Sequence, residues 1–219
     1  MANKRDPVVS ALAQAMVDKK YRRARRNATD LGHVAIEWNH LCGTLGWAFA
    51  ALMLPKDTGT SLAAWGAITS DRSQRQMLAA AIHAELAQTD KVRRGMQWAL
   101  DEASKIGSRR DNIIHAPYKP EEDGDGGVRL VVADLHGNRQ VAYLKNRDIE
   151  TEMKAVRDAA LALSGYVAAL TQLLLRDERA PLPQKPAAQS WRPRGSQTAI
   201  SPSRSTRTKR PLPQRPSKA

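Results

Sequence analysis

Three side chains able to hold an anion or move a proton crowd one short stretch, IGSRRDNIIHAPY, residues 106–118. With Arg110 at zero on a helical wheel, Asp111 falls at about 100°, His115 at about 140° and Asn112 at about 200°. Asp111 and His115 are therefore i, i+4 neighbours, and Arg110 borders them. A carboxylate one turn before an imidazole can hold that ring in one orientation, and Asn112 offers a further polar contact one turn below His115. The chemistry open to such a set is proton transfer by His115 beside an anion held by Arg110.

The elements around the set raise a question about the arginine. Val92, Met96, Ala99, Ala103 and Ile106 form an apolar helical stripe that continues to Ile113 or Ile114, and Arg110 takes one of its inward slots. A lone buried guanidinium costs on the order of several kcal/mol, so it is either paired or lines a wet cleft. In one reading Arg110 closes a buried ion pair with Glu85, Asp101 or Glu37, and His115 is a satisfied histidine at a helix end. In the other it faces a cleft and binds phosphate.

Other candidates are weaker. His33, Glu37 and His40 share one helical face and could present metal ligands, although a polar face explains them equally. KKYRRARR, 19–26, reads as a solvated basic helix end favoured by the dipole, or as a phosphate contact. Trp38, Trp47, Trp65 and Trp98 are expected in the core rather than as base-stacking platforms. Cys42, beside Leu41 and Leu45, reads as an inert buried thiol. The chain shows no glycine-rich phosphate loop, nucleophile elbow or HExxH motif, and no cofactor is implied.

The composition is compatible with one domain: 219 residues, one cysteine and a formal charge of +13. From Ala180 onward there are nine Lys or Arg, no Asp or Glu, and eight of the twelve prolines, which leaves about +4 for the rest. Residues 180–219 are expected to be disordered, a basic tail attractive to any polyanion. Within it PLPQKP, 181–186, recurs as PLPQRP, 211–216, a PxxP-type pattern. MANKRDPVV lacks the apolar run of a signal peptide, and the most apolar segment, 41–54, is short for a membrane span. A soluble cytoplasmic protein with no membrane partner is expected.

The positioning elements read as helices. Asp6-Pro7 starts one over 7–26, Thr29 or Asp30 caps a second to Leu54, and Leu31, Val34, Trp38, Leu41, Leu45, Phe49 and Leu52 share its inner face. A short helix over 61–68 follows, then one over 71–88 capped by Ser70. Thr89 or Asp90 marks the joint to the helix carrying Arg110, which stops near Ala116 ahead of Pro117. EEDGDGG, 121–127, is a loop, and LHGN reads as the turn of a β-hairpin formed by 128–134 and 139–144. Met153, Val156, Ala160, Leu163, Val167, Leu170 and Leu174 form the seam of a last helix over 148–176. The expectation is an all-α, up-and-down helical bundle with a small β-hairpin before its last helix. It divides into a basic helix, 1–28, a bundle, 29–179, and the tail, 180–219.

Arg110-Asp111-Asn112-Ile113-Ile114-His115 resembles the signature of HEPN domains, an arginine followed by four to six residues and a histidine. Helix order and VAIEWNHLCGTLGWAFAALM are similar too, and the resemblance covers roughly 30–176; Ala116 departs where a glycine commonly follows the histidine. The resemblance implies a homodimer that brings two motifs together and a metal-independent endoribonuclease acting as a toxin or in phage defence, with RNA and an antitoxin protein as partners. By it His115 is general acid or base in attack of the RNA 2′-hydroxyl, Arg110 stabilises the phosphate, and Asp111 or Asn112 orients the histidine. Other members are silent modules that bind RNA or protein partners.

Overall fold

The computed structural model describes residues 7–53, 58–87, 90–135, 137–145, 147–176 and 181–187. Among them are six helices and one two-stranded sheet: α1 Pro7–Met53, α2 Thr58–Ala67, α3 Asp71–Glu85, α4 Lys91–Ile114, β1 Tyr118–Glu122, β2 Val128–Val132, α5 Arg139–Leu144 and α6 Ile149–Arg176. The expected class holds: a helical bundle with an antiparallel hairpin before the last helix.

α1 is one helix where two are expected. Its 47 residues span about 70 Å at 1.5 Å per residue. The stop-and-start signal Asn27-Ala28-Thr29-Asp30 is overridden by tertiary bonds. Asn27 is buried; its Nδ2 donates to Glu150 Oε1 at 3.0 Å and its Oδ1 accepts from the Leu130 amide at 3.3 Å. Thr29 does not cap; its hydroxyl donates back to the Arg25 carbonyl at 3.1 Å. The basic run 19–26 thus lies in mid-helix, and the helix dipole cannot account for it.

α6 packs along α1 and α4, α3 lies on α1 and α4, and α2 on α1. The expected stripes form the core. Val34, Trp38, Leu41, Leu45 and Phe49 from α1 meet Met96, Ala99, Ala103 and Ile106 from α4 and Met153 through Leu170 from α6, with Leu31, Leu52 and Leu174 at the margin. By length and composition α6 is apolar enough to cross a membrane, which the reading of 41–54 passes over. Its Met153–Val156–Ala160–Leu163–Val167–Leu170 seam is buried in the bundle, while Leu161 and Leu175 are exposed.

Caps mark the joints as expected: Ser70 Oγ accepts from the Ser73 amide and Asp90 Oδ1 from the Val92 amide at 2.7 Å. Corrections concern the hairpin and one tryptophan. The strands are 118–122 and 128–132, with Tyr118 opposite Val132 and Glu122 opposite Val128. The turn lies in DGDGG, where Gly126 has φ +73° and Asp123 Oδ1 accepts from the Gly127 amide at 2.7 Å. Residues 139–144 are helical, because Asn138 Oδ1 caps the Val141 amide at 3.0 Å. Gly137 has φ +76°, so the expected turn residues instead lead into a helix N-terminus; His136 lies outside the described residues. Trp38 and Trp65 are buried, Trp98 is half-buried, but Trp47 is 57% exposed and lines a cleft of about 320 Å³ with Ala168 and Leu175.

The expectation of disorder over 180–219 falls largely outside the described residues. Residues 181–187, however, are in place beside α4, with Lys185 Nζ 5.1 Å from the centre of the Trp98 ring.

Candidate functional site

The inward slot on α4 belongs to Arg109, not Arg110. Stepping three from Ile106 reaches 109 and stepping four reaches 110; the acid supplied by α6 decides between them. Arg109 donates through Nη2 to Glu152 Oε2 and through Nε to the Tyr143 hydroxyl at 2.8 Å. Arg147 Nη1 donates to the other Glu152 oxygen at 2.8 Å and its guanidinium stacks 4.5 Å over the Tyr143 ring. Burial would raise the Glu152 carboxyl, but the bonds from Arg109 and Arg147 outweigh it and hold it below its ordinary value. This is the buried, paired arginine that the stripe requires, and it is structural.

Arg110 is displaced toward the surface, with 22% of its side chain exposed against 11% for Arg109. Its partner is its neighbour Asp111, whose Oδ1 accepts from Nη1 at 2.9 Å, rather than Glu85, Asp101 or Glu37. Its Nε is buried and makes no hydrogen bond among the described residues. His115 lies just past the end of α4 with its side chain exposed; its amide donates to the Asp111 carbonyl at 3.1 Å. Asn112 is half-buried and its Oδ1 has no hydrogen-bond partner among the described residues. The helix end is held by Tyr118, whose hydroxyl donates to the Ile113 carbonyl at 2.8 Å. Arg110, Asp111 and His115 thus share one end of α4, with the carboxylate engaged by the guanidinium and the imidazole open.

Arg75, which the sequence reading does not single out, is a further cation whose charge, like that of Arg110, is felt at Cys42. Burial pushes the Cys42 thiol up to about 11, Asp71 adds to this, and Arg75 and Arg110 both act against it. Arg75 lies 5.5 Å over the Trp38 ring, and Trp38 Nε1 donates to Asp71 Oδ2 at 3.0 Å. The Asp71–Arg75 i, i+4 spacing was the available signal. Cys42, expected to be a buried thiol, is half-buried.

A second candidate is a basic stripe on α1. Of its six cations, Lys20 is bonded to Glu122 at 2.6 Å, Arg23 to Glu150 at 2.9 Å and Arg25 to Asp18 at 2.7 Å. Lys19, Arg22 and Arg26 are exposed, make no ion pair among the described residues and share one helical face at 3-4 spacing. Like charges at that spacing repel by a few tenths of a kcal/mol each, roughly, unless an anion neutralises them. His33 and His40 are exposed, with Glu37 Oε2 3.7 Å from His40 Nδ1. Among the described residues no three His, Cys, Asp or Glu side chains gather as a metal site.

No family model, no curated protein and no solved structure matches the chain.

Proposed function

We propose that the protein is a metal-independent endoribonuclease of the HEPN type. The observation that carries this reading is the end of α4: a partly exposed Arg110 with an unsatisfied Nε, and an open His115 imidazole just beyond the last turn. The likeness of residues 110–115 to the HEPN signature supports it. A phosphate entering here competes with Asp111 for the Arg110 guanidinium. The freed carboxylate then lies one turn from His115 and can orient it.

His115 takes the proton of the RNA 2′-hydroxyl, the 2′-oxygen attacks phosphorus, and the bond to the 5′-oxygen breaks. The products are a 2′,3′-cyclic phosphate and a 5′-hydroxyl. The leaving oxygen needs a proton as well, and a second copy of His115, brought in by dimerisation, supplies it. Arg110 stabilises the charge that builds on the phosphate.

The test is cleavage of single-stranded RNA in EDTA by the whole chain. Cleavage that is lost in His115→Ala and in Arg110→Ala, with the helical circular dichroism unchanged, bears the proposal out. Cleavage that EDTA abolishes, or that survives His115→Ala, overturns it. Growth arrest on expression, dependent on His115, would extend it to a toxin or phage-defence role.

A second reading, a silent RNA-binding module, is favoured by Lys19, Arg22 and Arg26. Their unpaired charges suit a phosphate backbone whatever its sequence. RNA binding without cleavage, unaffected by His115→Ala, would select it.

A further inference from the structure

The first copy of the repeat in the tail meets the bundle at Trp98. The first copy, PLPQKP, lies against α4 without forming helix or strand. Pro183 and Pro186 are partly buried, while Gln184 and Lys185 between them are exposed. A three-residue period is that of polyproline II, in which residues i and i+3 face the same way and each proline holds φ near −65°. Lys185 places its ammonium 5.1 Å over the Trp98 ring. Trp98 is itself braced by Tyr166, whose ring meets it edge-on at 5.2 Å and 84°. A basic residue on an indole and two prolines at i, i+3 are the chemistry by which aromatic surfaces recognise proline-rich segments.

The second copy repeats the residue pattern. In PLPQRP Pro213 and Pro216 stand for Pro183 and Pro186, and Arg215 stands for Lys185. The single change is one that suits an indole face, because a guanidinium stacks on an indole better than an ammonium does. We propose that the Trp98 face is a peptide-binding site with two ligands in the same chain, and that residues 211–216 occupy it whenever 181–186 leave. Chain connectivity sets the order of preference. The first copy follows α6 after four residues, 177–180, and the second after thirty-four, 177–210. Effective concentration falls roughly as the −3/2 power of tether length, so the first copy is favoured by on the order of 20-fold before the gain from arginine. Between the two copies, residues 187–210 carry six Lys or Arg.

The full-length, nitrogen-15-labelled chain tests this through the Trp98 indole N–H resonance, assigned with Trp98→Phe. One variant disrupts the first copy (Pro183→Ala, Lys185→Ala, Pro186→Ala), a second the other copy (Pro213→Ala, Arg215→Ala, Pro216→Ala), and a third disrupts both. The expected result is a Trp98 resonance near the wild-type position in either single variant and displaced only when both copies are lost. The synthetic peptide PLPQRP, titrated into the doubly disrupted chain, should return it saturably, and a peptide with both prolines and the arginine replaced by alanine should not. The proposal is overturned if disrupting the first copy alone displaces the resonance as far as disrupting both. It is equally overturned if no variant moves it, or if its position in the first variant changes with protein concentration, which would make the occupant another molecule's tail.

Discussion

Arg109 on α4 and Glu152 on α6 are bonded to each other inside the bundle, each with about nine-tenths of its surface hidden from solvent. Glu152 also accepts from Arg147 and from Tyr143, so one carboxylate ties α4, α5 and α6 together. Removing one partner of such a network leaves the other buried and unbalanced, at a cost of about 3–5 kcal/mol. Arg109→Met should therefore lower the urea midpoint sharply. Arg110→Met, one residue on and partly exposed, should change stability by about 0.5 kcal/mol or less. Equal losses in the two variants would mean that the inward arginine is misassigned.

The same network gives stability a pH dependence. Bonds from Arg109 and Arg147 outweigh burial and hold the Glu152 carboxyl below its ordinary value; bonds from Arg23 and then Asn27 do the same for Glu150. A carboxyl depressed in the folded state contributes stability above its unfolded pKa, about 4.3. That contribution is lost as the pH falls from there through the folded pKa. Urea midpoints at pH 6 and pH 3.5 should fall further apart in the wild type than in Glu152→Gln, which has nothing to titrate at that position.

What was legible in the sequence divides along a physical line. The faces of α1, α4 and α6 could be read because burial follows the helical period over many residues, from Val34 to Phe49 and from Met153 to Leu174. The choice between Arg109 and Arg110 could not, since both continue the stripe and the deciding acid lies 43 residues away in sequence from Arg109. The joint expected at Thr29 failed for a similar reason: a local capping signal was outweighed by the bonds of Asn27 to α6 and β2. At Asn138 the local chemistry was right and its use was misjudged, since an asparagine beside a positive-φ glycine serves a hairpin turn or a helix cap equally well.

Cys42 should react slowly. With its thiol pushed up to about 11 by burial and by Asp71, the thiolate fraction at pH 8 is about 100-fold below that of a free cysteine. Reaction with an aromatic disulfide reagent at pH 8 should be slower by about that factor in the native chain and normal in urea. A fast native reaction would mean that Arg75 and Arg110 dominate the thiol.

Three helical glycines should separate by sign. A Cβ at Gly32 or Gly43 meets nothing within 4 Å, so alanine there should stabilise α1 by about 0.5–1 kcal/mol through backbone entropy. A Cβ at Gly107 stands 2.8 Å from Trp38 Cη2, in a ring that is buried and tethered to Asp71. Gly107→Ala should cost about 1–3 kcal/mol despite the better helix propensity. Thermal melts of the three single variants decide this, and a stable Gly107→Ala would show that Trp38 has room to move.

Binding and chemistry should separate between the α1 stripe and the end of α4. Lys19, Arg22 and Arg26 carry charges that no acid among the described residues neutralises. Each phosphate neutralised on single-stranded RNA adds about 0.7 to the slope of log affinity against log salt. Replacing all three with alanine should make that slope shallower by about 2 and weaken binding most at low salt. Arg23→Ala should instead mainly lower stability, because that guanidinium is committed to Glu150. His115→Ala removes no permanent charge, so it should leave the slope unchanged while ending cleavage. If His115→Ala flattened the salt dependence as the triple variant does, the imidazole would be serving as a phosphate contact, and the division between an α1 binding face and an α4 reaction site would fail.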